Sequence, residues 1–158
     1  MKLHNILKID RILLDFSTSK RDAVIEELVN VLAETGGISN PQEVTRLVLE
    51  RENEVGTGIG YGVAIPHTEP GAFTDPLIAF CRLKTGVNFH SPDGGTARLI
   101  FLLLTPESTP ALHVRLLARI CRLMKSKTVR NDLLEAETPE EVANIITQTE
   151  ADFPELTA

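Results

Sequence analysis

Between residues 56 and 62 glycine stands at every second position, as Gly56, Gly58, Gly60 and Gly62, and the run closes on Ala64-Ile65-Pro66-His67. Side chains of an extended segment alternate between faces, so this spacing leaves one face bare and places Thr57, Ile59 and Tyr61 on the other. A second backbone or a ligand can approach the bare face closely, and the fold has to be built around that approach. Pro66 fixes its own φ and drives Ile65 to an extended conformation, which delivers His67 at a rigid corner. Function is expected at His67, with the rest of the chain as its support.

The 158 residues suit one domain over 1–150 followed by a short C-terminal tail, 151–158. A domain of this length buries roughly two-thirds of its unfolded surface, so neither a disulfide nor a structural metal is required. The net charge of −6 argues against nucleic acid or an anionic membrane as partner, because both are usually met by a basic surface. Cys81 and Cys121 are isolated in apolar surroundings and form no CxxC pair, which suits a reducing compartment and makes the cytoplasm the expected location. Lys8, Asp10 and Arg11 interrupt the apolar N-terminus and exclude a signal peptide, and no later segment has the length of a membrane span.

The order of signals is that of an α/β domain. Residues 3–7 suit one helical turn and Arg11–Phe16 a short strand. Ser19 with Asp22 opens a helix bearing Val24, Leu28, Val31 and Leu32, closed by Gly36-Gly37. Asn40, Pro41 and Glu43 open a second helix with an apolar stripe of Val44, Leu47 and Val48. Arg51 falls seven residues after Val44 and four after Leu47, on the same stripe. It is either a group serving a site or an arginine snorkelling at the negative end of its helix. Leu77–Leu83 and Ala97–Leu104 read as strands, the second so apolar that it belongs in a sheet interior, and Ser91–Gly95 is turn material. Thr109-Pro110 opens a third helix with an inward stripe of Leu117, Ile120 and Met124, and four residues before Leu117 stands His113, facing inward at the anion-favouring end of that helix. Thr138, Pro139 and Glu141 open a last helix through Val142, Ile145 and Ile146. His4 and His90 have no partner motif.

A histidine on a rigid corner serves as general base, metal ligand, nucleophile or satisfied structural group. No HxxxH, HxH or Cys/His cluster supports a metal, no GxSxG elbow supports a serine hydrolase, and GxGxGxG lacks the lysine or the helix of a nucleotide loop. There remains an imidazole nucleophile toward phosphorus, for which Arg51, His113 and a helix N-terminus are candidate sources of positive charge.

The pair Arg51-Glu52, the run GTGIGYGVAIPH ending at His67 and the segment HVRLLARI starting at His113 resemble the fructose/mannitol-type enzyme IIA domain of the bacterial phosphoenolpyruvate-dependent phosphotransferase system. The likeness runs from Leu3 to about Ile146. It implies a mixed β-sheet flanked by helices in a single compact domain, and a phosphoryl carrier without a cofactor. By the same resemblance His67 accepts phosphate from the phosphocarrier HPr as a phosphohistidine intermediate, His113 orients it and Arg51 neutralises its charge. Thr57, Gly58, Gly60, Gly62 and Pro66 are then the supporting loop. The downstream partner is a IIB domain, if the protein serves sugar uptake, or a regulated protein, if it belongs to the nitrogen-regulatory branch. The free-standing chain and the pattern before Ser19 favour the regulatory branch; a degenerate, unphosphorylated binding module is the third reading. Gly56 replaces a common serine, and Thr68-Glu69 replace a small residue and a basic one, which bears on rate and donor preference.

Overall fold

The computed structural model describes residues 1–152. Two single-turn 3-10 helices, Leu3–Asn5 and Ile9–Arg11, precede strand β1 (Ile12–Phe16), helices α1 (Arg21–Glu34) and α2 (Pro41–Glu54), the short strands β2 (Gly58–Gly60) and β3 (Val63–Ala64), and the long strands β4 (Leu77–Val87) and β5 (Ala97–Leu104). Helices α3 (Pro110–Met124), α4 (Lys127–Glu135) and α5 (Pro139–Ala151) complete the chain. The strands form one mixed sheet in the order β1-β4-β5-β3-β2, parallel between β1 and β4 and between β5 and β3, antiparallel in the other two pairs.

Both faces of the sheet are covered, which is why β5 is apolar apart from the half-buried Arg98, whose Nε donates to Leu83 O at 2.9 Å. Leu99, Phe101 and Leu103 pack into a core with Leu116, Ile120, Leu133 and Ile146 from α3, α4 and α5. The intervening Ile100, Leu102 and Leu104 enter the opposite core with Val24, Leu28 and Leu32 of α1 and Val44 and Val48 of α2. With a side-chain period of two, a strand covered on both sides needs apolar residues at nearly every position. Cys81 lies in the α1–α2 core, where burial pushes its thiol up to about 12.

Several local expectations shift for physical reasons. Arg11 falls in the 3-10 turn and β1 starts at Ile12. Helix α1 is entered through Lys20, without a side-chain cap, so Ser19 lies outside it. Among the described residues only Ser126 and Thr138 cap an α-helix with their side chains, accepting from Val129 N and Glu141 N. Helix α4 went unread because it is short, with only Val129 and Leu133 buried; its end is held from the sheet by buried Arg82, which donates to the carbonyls of Leu133, Leu134 and Ala136 and pairs with Asp15. His4 does have a partner: its Nδ1 lies 2.8 Å from the fully buried carboxylate of Glu150, which also accepts Leu3 N and meets Arg119. Helix α5 thus continues through Ala151, past the boundary expected at residue 150, and positions 153–158 of the expected tail lie outside the described residues.

The glycine run is extended only in part. At Gly56 and Gly58 the bare face meets the Phe89–Ser91 segment: an added Cβ would lie 2.5 Å from the backbone Phe89 O at Gly56, and at Gly58 2.1 Å from the Ser91 side-chain Oγ and 3.0 Å from the backbone atoms Phe89 O and Ser91 Cα. Gly58 N also donates to Phe89 O at 3.1 Å. At Gly60 (φ +89°) and Gly62 (φ +77°) the chain turns instead, in a tight hairpin with Tyr61 at φ +60° between them. Gly58→Ala should therefore cost about 1–3 kcal/mol, the usual range for overpacking. Urea denaturation checks this through a lowered midpoint at unchanged slope; an unchanged midpoint would mean that the Phe89–Ser91 segment yields freely.

Candidate functional site

The parallel pair β3 and β5 ends at the site. Leu103 N donates to Pro66 O at 3.0 Å, and an isolated bridge pairs His67 with Leu103, so the histidine sits one step beyond the ladder that holds the backbone. In open α/β sheets the crevice outside the carboxyl ends of strands is where ligands bind. Here α2 arrives from one face of the sheet with Arg51 and α3 from the other with His113.

His67 is half-buried, and its Nδ1 lies 2.7 Å from the carbonyl oxygen of Ile65. A carbonyl only accepts, so Nδ1 carries the proton and the lone pair resides on Nε2. The carbonyl is itself well placed: Ile65 N donates to Thr57 O at 3.1 Å, and Thr57 is held by Glu52, whose carboxylate accepts Thr57 N at 2.6 Å and the Thr57 hydroxyl. Glu52 is 1% exposed, so its charge is stabilised by these donors rather than by water.

The His113 ring stands beside His67, centroids 5.4 Å apart and planes at 60°. His113 is buried, as its helix register requires, and its Nδ1 lies 2.6 Å from the hydroxyl of Thr105. Within α3 the buried line passes through His113, Leu116, Ile120 and Leu123, and Leu117 is only half-buried. Arg51 is half-buried at the end of α2 and donates to Val55 O at 3.1 Å. The most buried line of α2 is Val44, Val48 and Glu52, with Arg51 beside it. Burial lowers the pKa of His67 most; the Ile65 carbonyl opposes this by bonding the protonated ring, and the Arg51 charge lowers it further. For His113 burial again leads, followed by His67 and Arg51. Both shifts favour the neutral ring.

The residues expected to support the loop lie behind the histidine: Thr57, Gly58 and Pro66 in the hydrogen bonds above, and Gly60 and Gly62 in the hairpin, where Gly62 O accepts Arg98 N and Leu99 N. Next to Thr68 a shallow cavity of about 190 Å³ is lined by Leu47, Glu50, Arg51, Glu54, Thr68 and Glu69, an acidic rim around one arginine. Among the described residues no group of three or more His, Cys, Asp or Glu is gathered as a metal site would need. Sequence reasoning missed Glu52 and Thr105 as site residues. Glu52 had a signal, four residues after Val48 and eight after Val44 on the buried line; Thr105 had none until His113 was placed opposite it.

Two imidazoles, with an arginine at the end of α2, thus stand at the carboxyl end of parallel strands. The family model described as "Phosphoenolpyruvate-dependent sugar phosphotransferase system, EIIA 2" matches residues 5–149, and the chain belongs to that family. It is 36% identical over 94% of its length to the fructose-specific EIIABC component of Bacillus subtilis, of which it spans 23%. It is 31% identical over 92% of its length to the nitrogen regulatory protein of Bradyrhizobium diazoefficiens, of which it spans 95%. The crystal structure of the nitrogen regulatory protein IIA-Ntr from Neisseria meningitidis superposes with a TM-score of 0.84 at 32% identity, covering 91% of this chain and 98% of that one.

The lowered histidine pKa values fix the sign of a pH effect. Below about 6.5, the ordinary histidine value, an unfolded chain takes up protons that the native rings resist, so stability is full above that pH and falls as the pH drops toward the native values. His67→Gln should flatten this slope relative to the wild type between about pH 6.5 and 5. Denaturation midpoints across that range check it; parallel slopes would mean that His67 titrates normally in the folded protein.

Proposed function

We propose that the protein is a phosphoryl carrier that takes phosphate from an HPr-type donor on His67 Nε2 and serves as a regulatory, nitrogen-type IIA protein of the cytoplasm. The observation that carries this reading is the hydrogen bond between His67 Nδ1 and the Ile65 carbonyl, because it commits Nε2 to nucleophilic attack. In the transfer step the Nε2 lone pair forms a bond to phosphorus while the phosphorus–nitrogen bond of the donor breaks and its electron pair returns to the donor ring. The Nδ1 proton stays in place. As the ring gains positive character its bond to Ile65 O strengthens, and Arg51 and His113 meet the oxygens of the transferring group. The acidic rim of Glu50, Glu54 and Glu69 suits a donor with basic side chains.

The regulatory assignment draws on the 32% identity and near-complete mutual coverage with IIA-Ntr from N. meningitidis. A sugar-relay role, with a IIB domain as acceptor, is favoured by the 36% identity to the B. subtilis fructose component. Structures at lower identity, such as the mannitol IIA–phosphorylated IIB complex from Escherichia coli at 19% and a TM-score of 0.77, support the fold.

With phosphoenolpyruvate, enzyme I and HPr the wild type should gain one acid-labile, base-stable phosphoryl group, and His67→Ala none. His113→Ala should slow the gain by about 10²–10³, the usual cost of removing one transition-state donor, and Arg51→Ala should slow it more than it lowers stability. Phosphate persisting in His67→Ala, or a wild type that stays unmodified with several HPr proteins, would contradict the carrier. Transfer onward to a purified IIB domain would move the assignment to sugar uptake.

A further inference from the structure

The geometry points to Thr105 as a positioning residue that fixes His113 in the tautomer opposite to that of His67, so that the second imidazole is a neutral hydrogen-bond donor beside the first. Thr105 follows the last residue of β5, is fully buried, and holds the site through two contacts. Its carbonyl accepts Gly71 N at 2.9 Å, which ties down the segment after His67, and its hydroxyl lies 2.6 Å from His113 Nδ1.

The direction of that second bond follows from counting protons. If Nδ1 of His113 donated, the Thr105 hydroxyl proton would need another acceptor, and among the described residues the hydroxyl has only His113 as partner. A buried hydroxyl without an acceptor is costly. The arrangement that satisfies both groups has the hydroxyl donating and Nδ1 accepting, which places the single proton of the neutral ring on Nε2. His67 is set the other way by the Ile65 carbonyl. One ring therefore offers a lone pair at Nε2 and the other an N–H at Nε2, the pairing required if one attacks phosphorus while the other donates to a phosphoryl oxygen. Two rings of the same tautomer would give either two nucleophiles or two donors. The ring contact, centroids 5.4 Å apart, brings the two sets of atoms into one site. The catalytic consequence rests on the carrier reading; the tautomer itself does not.

Nitrogen-15 spectra of the unphosphorylated protein test the tautomer directly, and the HPr-dependent rate tests its consequence. The wild type should show His113 protonated at Nε2, with a hydrogen-bonded, unprotonated Nδ1, and His67 protonated at Nδ1. Thr105→Val should remove the hydrogen-bonded Nδ1 signature and slow phosphorylation of His67 about tenfold, less than loss of the donor outright. Thr105→Ser, which keeps the hydroxyl, should restore both. A His113 protonated at Nδ1 in the wild type overturns the proposal whatever the rate, and so does a Thr105→Val protein with wild-type spectrum and rate. A wild type with the expected spectrum that accepts no phosphate would instead refute the carrier and leave the positioning of His113 intact. Because the wild-type spectrum reads the His113 tautomer without any substitution, the test of the tautomer does not depend on the valine variant folding.

Discussion

The hydrogen bond from His67 Nδ1 to the carbonyl of Ile65 is the constraint on which the site depends. It spans only two residues, so it exists only if the backbone from Ile65 to His67 is bent to one shape. Pro66 supplies part of that shape through its fixed φ. The rest comes from outside the segment: Leu103 N holds Pro66 O, and Thr57 O holds Ile65 N. Thr57 in turn is anchored by the buried Glu52 carboxylate. A line of hydrogen bonds therefore runs from the C-terminal turn of α2 to the imidazole, and each member has its position set by the one before.

The charges around the corner are arranged to serve that ring without protonating it. Glu52 is close enough to favour the protonated ring slightly, but burial of His67 and the Arg51 guanidinium oppose it. The outcome is an imidazole whose pKa lies below the ordinary value with a cation near enough to act on it; on the proposed carrier reading, attack on an anionic phosphoryl group uses an available lone pair and a positive group for the oxygens. The pKa of His113 is lowered in the same way, by burial first and then by the repulsion of His67 and Arg51. Because α2 and α3 lie on opposite faces of the sheet, the site exists only where both reach beyond the strand ends, and the double-sided cores fix that convergence.

Much of this was legible in the sequence. The almost wholly apolar run of Ala97–Leu104 marked an interior strand, the four-residue step back from Leu117 turned His113 inward, and Pro66-His67 marked the corner. The paired glycines at Gly56 and Gly58 were read correctly as a close backbone approach, but the same alternation carried on to Gly60 and Gly62 hid a hairpin, since glycine signals either an approach or a positive φ and spacing alone does not choose. Helix α4 was missed because two buried residues give too short a period. The role of Thr105 and the partner of His4 were out of reach for another reason: both depend on residues brought together by the tertiary fold, eight and 146 positions apart.

The most direct measurement is the regiochemistry of the phosphohistidine, read from nitrogen-15 and phosphorus-31 couplings in protein phosphorylated through HPr. Phosphorus bonded to Nε2 of His67, with Nδ1 still protonated and hydrogen-bonded, is the predicted result. Phosphorus on Nδ1 of His67, or on any other residue, would contradict it, because the Ile65 carbonyl would then not have chosen the attacking atom.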